Sequence, residues 1–305
     1  MALWLTEHFK EGQRLFIAID RTSWGRVNLL MVSVIWNKRA VPLYWRWLDK
    51  LGCTNWCEQR DAIAKVLPLL SGYEAVILGD REFCSVRLAG WLQSCGCGYC
   101  LRLKCSTHVV EAQQVQQELA SLGLQPGNKL FMNEVSVTKQ KGFGPFQLAG
   151  KWKRRYRGFG ASEPWFILTN LGSLDEAVAA YQRRFGIEEM FRDFKSGGYS
   201  LERCKLKEER LVAVMILLAM AYVQSWRVGQ RAKERALQKY LSRPERPSSV
   251  RRRHSAFRVG LCAYRMELFV QLRGPLIERL MRLSPSKLLH YQKGIRALEL
   301  AASTF

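Results

Sequence analysis

Acidic residues are scarce. The 305-residue chain sets 26 Asp and Glu against 48 Lys and Arg, a formal net charge of +22. A surface of that sign attracts phosphate backbones at long range, and a polyanionic partner is the first expectation. An anionic membrane surface is the other partner that charge alone allows. A long apolar run is missing too. The longest, Leu211 to Val223, has thirteen residues, short of the roughly 20 that cross a bilayer. It reads as a buried core helix, and no membrane partner is expected. The opening MALWLTEHFKEGQR lacks the apolar stretch of a secretory signal. Nine cysteines without such a signal imply reduced thiols in a cytoplasm. The usual pairing of two C-x-x-C ligand motifs is also lacking: Cys95, Cys97 and Cys100 run Cys-x-Cys-x-x-Cys, with Cys105 and His108 nearby and Cys53 and Cys57 upstream. Their segment, GCGYCLRLKC, has strand character, so these thiols are expected as small buried hydrophobes rather than zinc ligands.

What the chain does hold is apolar material, 48% of its residues, with ten Trp, ten Tyr and fourteen Phe. That excludes low-complexity disorder and allows a sizeable core. Charge is uneven along it. Residues 1–100 carry 12 bases and 9 acids, net +3; residues 101–200 carry 14 and 9, net +5; residues 201–305 carry 22 and 8, net +14. This division suggests carboxylate chemistry in front and a backbone-binding surface behind.

Apolar runs broken by polar clusters predict strands at 13–24, 26–36 and 41–48, an antiparallel meander. A helix is expected at 57–70, disturbed near Pro68. The nearly all-apolar EAVILG, 74–79, reads as a strand buried on both faces, as parallel strands are. A helix at 81–93 and a strand at 99–104 follow. Residues 105–164 read as a small β-rich insertion, 165–169 as another strand, and 173–196 as one long helix stopped by Gly197 and Gly198. Residues 231–305 are expected as a basic helical region, with 241–254 a Pro/Ser/Arg-rich linker. The architecture is therefore an α/β mixed sheet flanked by helices, its core at 1–104 and 165–230.

Asp20 follows the apolar residues of the first strand and Asp80 follows EAVILG. Carboxylates there stand at a sheet edge, where α/β proteins build sites, although an aspartate before a helix can be simply a cap. In YQRRFGIEEMFRDFKSGG, Tyr181, Arg184, Glu188 and Lys195 have offsets of 0, 3, 7 and 14. At about 100° per residue they share a stripe about 60° wide, spread over about 21 Å of one helix. A carboxylate flanked by cations and a phenol suits a nucleic-acid backbone; the plainer reading is a solvated face with an Arg184–Glu188 pair.

Tyr-x2-Arg-x3-Glu-x6-Lys resembles the Y-R-E-K signature of bacterial insertion-sequence transposases of the DDE class. Asp20-Arg21-Thr22 is similar to the first aspartate motif of that family, and Gly79-Asp80-Arg81-Glu82-Phe83 to the second. The resemblance covers roughly residues 13–270. It implies a ribonuclease H-like core in which Asp20, Asp80 and Glu188 form a metal-binding catalytic triad, with a β-strand insertion between the second and third. It implies Mg²⁺, with Mn²⁺ able to substitute, because hard cations take carboxylate and phosphate oxygens. A pair of such ions can serve phosphodiester hydrolysis and strand transfer alike. Tyr181, Arg184 and Lys195 would contact DNA phosphates, and Trp165 would stack on a flipped base. Read from its own residues, KWKRRYR is a basic run interleaved with aromatics, in which Trp152, Arg154 and Arg155 suit backbone and base contact, with Trp152 a rival to Trp165; a solvated hairpin is the other reading. Glu189 lies about 100° off the stripe, and Glu82 is expected at the surface.

The partners implied are transposon-end and target DNA and a second copy of the chain in a synaptic homodimer, in a bacterial cytoplasm at the nucleoid. Asp20 comes too early for the N-terminal DNA-binding segment usual in the family. A shortened copy, a gene fragment or a member with a separate end-binding subunit is therefore expected. Two other functions stay open: a non-catalytic DNA-binding remnant, and a ribonuclease H-like nuclease acting on RNA hybrids or junctions.

Overall fold

The computed structural model describes residues 2–110, 116–137, 143–154, 161–242, 254–268, 286 and 288–302. Contacts divide the chain into two units, Met1–Phe191 and Arg192–Phe305.

In the first unit a short helix, α1 (Ala2–His8), precedes the expected meander, which forms as β1 (Arg14–Trp24), β2 (Val27–Trp36) and β3 (Arg39–Trp47), each antiparallel to the next. The β2–β3 turn puts Asn37 and Lys38 at φ of 48° and 67°, the two left-handed positions that match the twist of a tight hairpin. After β3 comes α2 (Trp56–Ala64), held by a capping box between Asn55 and Glu58. Strand β4 (Glu74–Gly79) then inserts parallel to β1, and β5 (Gly98–Arg102) parallel to β4. The partial order β3-β2-β1-β4-β5 is the ribonuclease H-like arrangement. Val76, Ile77 and Leu78 are fully buried, as a strand covered on both faces must be.

The helix expected at 81–93 divides. A 3-10 turn, Arg81–Phe83, precedes α3 (Val86–Ser94), which Ser85 caps. Gly79 is required there: a Cβ on it would lie 2.7 Å from Phe83 Cβ, so only glycine lets the turn fold back at the strand end.

Residues 105–164 do not build a separate sheet. Strands β6 (His108–Val110), β7 (Gln117–Glu118), β8 (Lys129–Val137) and β9 (Phe143–Lys151) extend the same sheet through β10 (Trp165–Thr169), giving the order β3-β2-β1-β4-β5-β10-β9-β8-β6-β7. The single helix expected at 173–196 is two, α4 (Leu174–Arg183) and α5 (Phe185–Phe194). At the joint the i→i+4 ladder gives way to i→i+3 bonds, Arg184 N–H to Tyr181 O and Ile187 N–H to Arg184 O. Gly186 sits against Arg39, whose carbonyl carbon lies 3.1 Å from where a Cβ would be. That close approach explains why the chain shifts there.

The second unit is helical, with α6 (Glu208–Glu234), α7 (Gln238–Leu241), α8 (residues 256–268) and α9 (Leu288–Ala302). The thirteen-residue apolar run is the heart of the 27-residue α6. By length and composition α6 could cross a membrane, with 44% of its most apolar window buried. It is not the wholly buried core helix expected, because Ile216, Leu217 and Met220 are exposed on one face. Its C-terminal half meets α8 glycine to glycine: a Cβ on Gly229 would lie 1.7 Å from Ala256 O, and one on Gly260 1.7 Å from Ser225 O. Ala232, Leu237 and Val259 form a core cluster beside this crossing.

Gly229→Ala should therefore cost about 3 kcal/mol, the upper part of the usual overpacking range. Gly294→Ala, in α9 with open space around it, should stabilise by up to about 1 kcal/mol through helix propensity. Chemical denaturation of both variants checks the contrast; equal effects would mean that the α6–α8 crossing is not close-packed.

Candidate active site

Two aspartates stand just past the last shared rung of β1 and β4. The parallel β1–β4 register runs from Arg14 opposite Glu74 to Ile19 opposite Gly79. Asp20 is the next residue on β1, and Asp80 is the first residue after β4 ends. Beyond them β1 continues paired only with β2, so the site opens where β4 stops. Asp80 caps the 3-10 turn, its Oδ1 accepting from Glu82 N–H at 2.8 Å. Asp20 Oδ1 accepts from Arg21 N–H at 2.7 Å.

Arg184, at the joint of α4 and α5, binds the third carboxylate to the first. Its Nη1 donates to Asp20 Oδ2 at 3.3 Å and its Nη2 to Glu188 Oε1. The Arg184 side chain is 6% exposed, against 47% for Glu188. Burial pushes the Asp20 carboxyl up to about 7, and the nearby charges of Asp80 and Glu188 push the same way; Arg184 and the Arg21 N–H oppose them. Asp20, Asp80 and Glu188 thus share one electrostatic environment. Glu189 faces elsewhere, accepting from Arg39 Nη1 at 2.8 Å.

Metal chemistry can be tested against this donor set. Carboxylate oxygens are the hard ligands that Mg²⁺ and Mn²⁺ take, and an aspartate whose proton affinity is raised by burial and like charges gains from a cation. The residues fit such an ion in chemistry. They are not closed on one: among the described residues no three His, Cys, Asp or Glu side chains are gathered tightly enough to hold a metal. Arg184 supplies the positive charge instead.

Other residues singled out by sequence fall in varied places. Tyr181 is fully buried, its ring edge-on to Trp165 at 5.1 Å between centroids, so the phenol lies under the surface rather than on it. Trp165 is half-buried, tilted against Phe185 at 5.8 Å, with Lys153 Nζ 5.1 Å from its ring centroid. Phe185, 39% exposed with the Arg184 guanidinium 5.1 Å from its ring, completes an aromatic shelf that sequence reading missed. Its only signal was an aromatic next to the arginine of the motif. Trp152 donates its indole N–H to Ala161 O at 3.0 Å. Arg154 is exposed beside Gly127, and Arg155 lies outside the described residues. Lys195 belongs to the second unit, where its Nζ is 3.4 Å from Glu202 Oε1. Cys100 is a buried strand thiol, pushed up to about 12 by burial.

Glu82 corrects an expectation. It is not a surface residue: its side chain is 13% exposed, and it accepts from Arg21 Nε through both oxygens and from Thr54. Sequence placed it two residues past Asp80 but could not show the distant Arg21 and Thr54 that enclose it.

The family model described as "Transposase DDE domain" matches residues 57–224, more than half of the chain. The chain belongs to this family. No curated protein matches the sequence. Among solved structures, this DDE-domain chain is similar to the piggyBac transposase synaptic complex with hairpin DNA. Identity is 12% and the TM-score 0.46, over 95% of this chain and 58% of that one. A second similarity is to the Marinitoga piezophila Argonaute in complex with 5′ OH guide RNA and target DNA. There identity is 11% and the TM-score 0.26, over 70% of this chain and 30% of that one. The chain spans less than two thirds of either.

The shift on Asp20 has a checkable consequence. Its proton is held more tightly in the folded protein than in the unfolded chain, so metal-free stability on its account is lost as pH rises from about 4 to about 7. Melting temperatures across that window should fall more steeply for wild type than for Asp20→Asn, and added Mg²⁺ should raise the wild-type value more at pH 7.5 than at pH 5. Parallel curves would remove Asp20 from the charged cluster.

Proposed function

We propose that this DDE-domain protein is a DNA transposase catalytic core, cutting phosphodiesters at transposon ends and transferring the freed strand into target DNA. The observation that supports this most is the pair of aspartates just past the last β1–β4 rung, with Glu188 tied to Asp20 through Arg184. Asp20, Asp80 and Glu188 would hold divalent cations, Mg²⁺ or Mn²⁺. When bound, such ions stabilise charge on the phosphate and make a water or a 3′-hydroxyl nucleophilic at neutral pH.

The protein's own groups do the rest. Asp20 and Asp80 spend one oxygen each on a backbone N–H, which fixes their orientation and leaves the other oxygen to face the site. Glu188, the most exposed of the three, exchanges Arg184 for a ligand role. Arg184, once released, neutralises DNA phosphates beside the cut, and Lys195 contacts DNA phosphates from the second unit. Tyr181 is proposed to act from below, its ring supporting Trp165. Trp165, with Phe185 and Lys153 around it, offers a flat face to an unstacked base, while Trp152, Arg154 and Arg155 extend the grip along the backbone. The DNA is held by two copies of the chain. The setting proposed is a bacterial cytoplasm at the nucleoid.

Purified protein should nick supercoiled plasmid in Mg²⁺ or Mn²⁺, and Glu188→Gln should lower the rate on the order of 10³-fold or more, as loss of a unit-acting catalytic group does. DNA binding without metal-dependent nicking in the wild type would favour the remnant reading. Cutting of RNA hybrids in preference to DNA would favour the nuclease.

Trp165→Ala should slow hairpin formation at a nicked transposon end more than the first nick. Equal loss in both steps would make Trp165 a packing residue under the shelf.

A further inference from the structure

Past the last shared rung, nothing in the β1–β4 ladder fixes Asp20 against Asp80, yet two groups that share an ion need a fixed separation. Side chains take over where the ladder ends. Arg21 Nε donates to both oxygens of Glu82, at 3.1 and 3.0 Å, and Arg21 Nη1 donates to Asn28 Oδ1 at 3.0 Å. Glu82 Oε1 also accepts from Thr54 N–H and Thr54 Oγ1, each at 2.8 Å. Gln59 Nε2 braces this from behind, donating to Thr54 Oγ1 at 3.0 Å and Glu82 O at 3.3 Å. Asn28, fully buried, donates to Lys50 O at 2.6 Å and Gly52 O at 3.2 Å. The same two residues give the aspartates their backbone bonds, Arg21 N–H to Asp20 and Glu82 N–H to Asp80.

We infer that the Arg21–Glu82 pair is a positioning clamp, which sets the separation and aim of Asp20 and Asp80 and so tunes the affinity of their cation site. The inference rests on the metal-site reading above. Each half of the clamp holds one aspartate by its N–H and the other half by its side chain, so a shift at either end reaches both carboxylates. The pairing has a second effect. Glu82 neutralises Arg21, and so keeps that guanidinium from cancelling the negative charge the cation needs. A Glu82 without charge both loosens the clamp and leaves Arg21 as a competitor for Asp20.

The test is Mn²⁺ binding to the full chain, followed by electron paramagnetic resonance without DNA, beside metal-free melting temperatures and the Mg²⁺ dependence of plasmid nicking. Glu82→Gln keeps shape and an acceptor oxygen. It should weaken Mn²⁺ affinity on the order of 10-fold or more and move nicking to higher Mg²⁺, while DNA binding in the absence of metal stays at the wild-type level. Arg21→Lys, which keeps the charge but not the fork, should fall between the two. Wild-type Mn²⁺ affinity and Mg²⁺ dependence in a folded Glu82→Gln would overturn the clamp. So would collapse of the metal-free melting temperature in both variants, since the pair would then serve the fold rather than the aspartates. Wild-type protein whose Mn²⁺ binding is absent, or unchanged by Asp20→Asn, would instead overturn the metal-site reading itself.

Discussion

The buried Asp20 carboxylate is repelled by the nearby charges of Asp80 and Glu188, and the site in the first unit is organised around what opposes that repulsion. Arg184 does so here, its two amino groups divided between Asp20 and Glu188. To reach both it must come from the side, at a joint between two helices rather than from the middle of one. The joint exists because Gly186 lets α5 press on the Arg39 backbone. Arg39 in turn holds Glu189, which leaves Glu188 as the carboxylate that turns toward Asp20. A guanidinium cannot satisfy three carboxylates as closely as small divalent ions can, since its donors are fixed in a plane. The arrangement therefore keeps a demand for positive charge that the protein alone leaves only partly met, visible in the proton affinity of Asp20.

How much of this was legible in the sequence depends on the range of the interaction. Strands β1 to β4 follow from apolar runs and turn residues, and EAVILG is bounded as expected, 74–79, because a strand buried on both faces has one composition. The motif residues could be read as neighbours because a helix converts spacing into direction over a few turns. That inference weakens where the helix does not stay regular: the turn at Arg184 sends Tyr181 into the core, where a regular wheel put it on a common stripe with Glu188. Spacing encodes periodicity, but not the glycine contact from another strand that interrupts it.

The longer-range features left no local trace. That β9 lies beside β10, with Trp165 opposite Lys151, depends on pairing within a segment whose composition shows only a small β-rich insertion. Joining the sheet gives β8 and β9 partners for their backbone groups, which a small detached hairpin would leave to water. It also carries Lys151 to Arg154 toward the Trp165 edge, where Lys153 meets the indole ring. Glu82 was misjudged for the same reason. Its neighbours in sequence say surface, and its neighbours in space, Arg21 and Thr54, come from a different strand and a different loop.

The charge distribution gains its meaning from these placements. The first two hundred residues are near balance because their acids are used in pairs. Glu82 answers Arg21, Glu189 answers Arg39, and Asp20 with Glu188 answers Arg184. Lys153 and Arg154 remain as an exposed basic edge among the described residues of that unit. Long-range attraction must then come mainly from the final third, net +14, while the site itself supplies negative charge. Carboxylates and a phosphate backbone can lie side by side only with cations between them. The separation of charge along the chain and the unmet charge at the aspartates are, on this argument, two sides of one requirement.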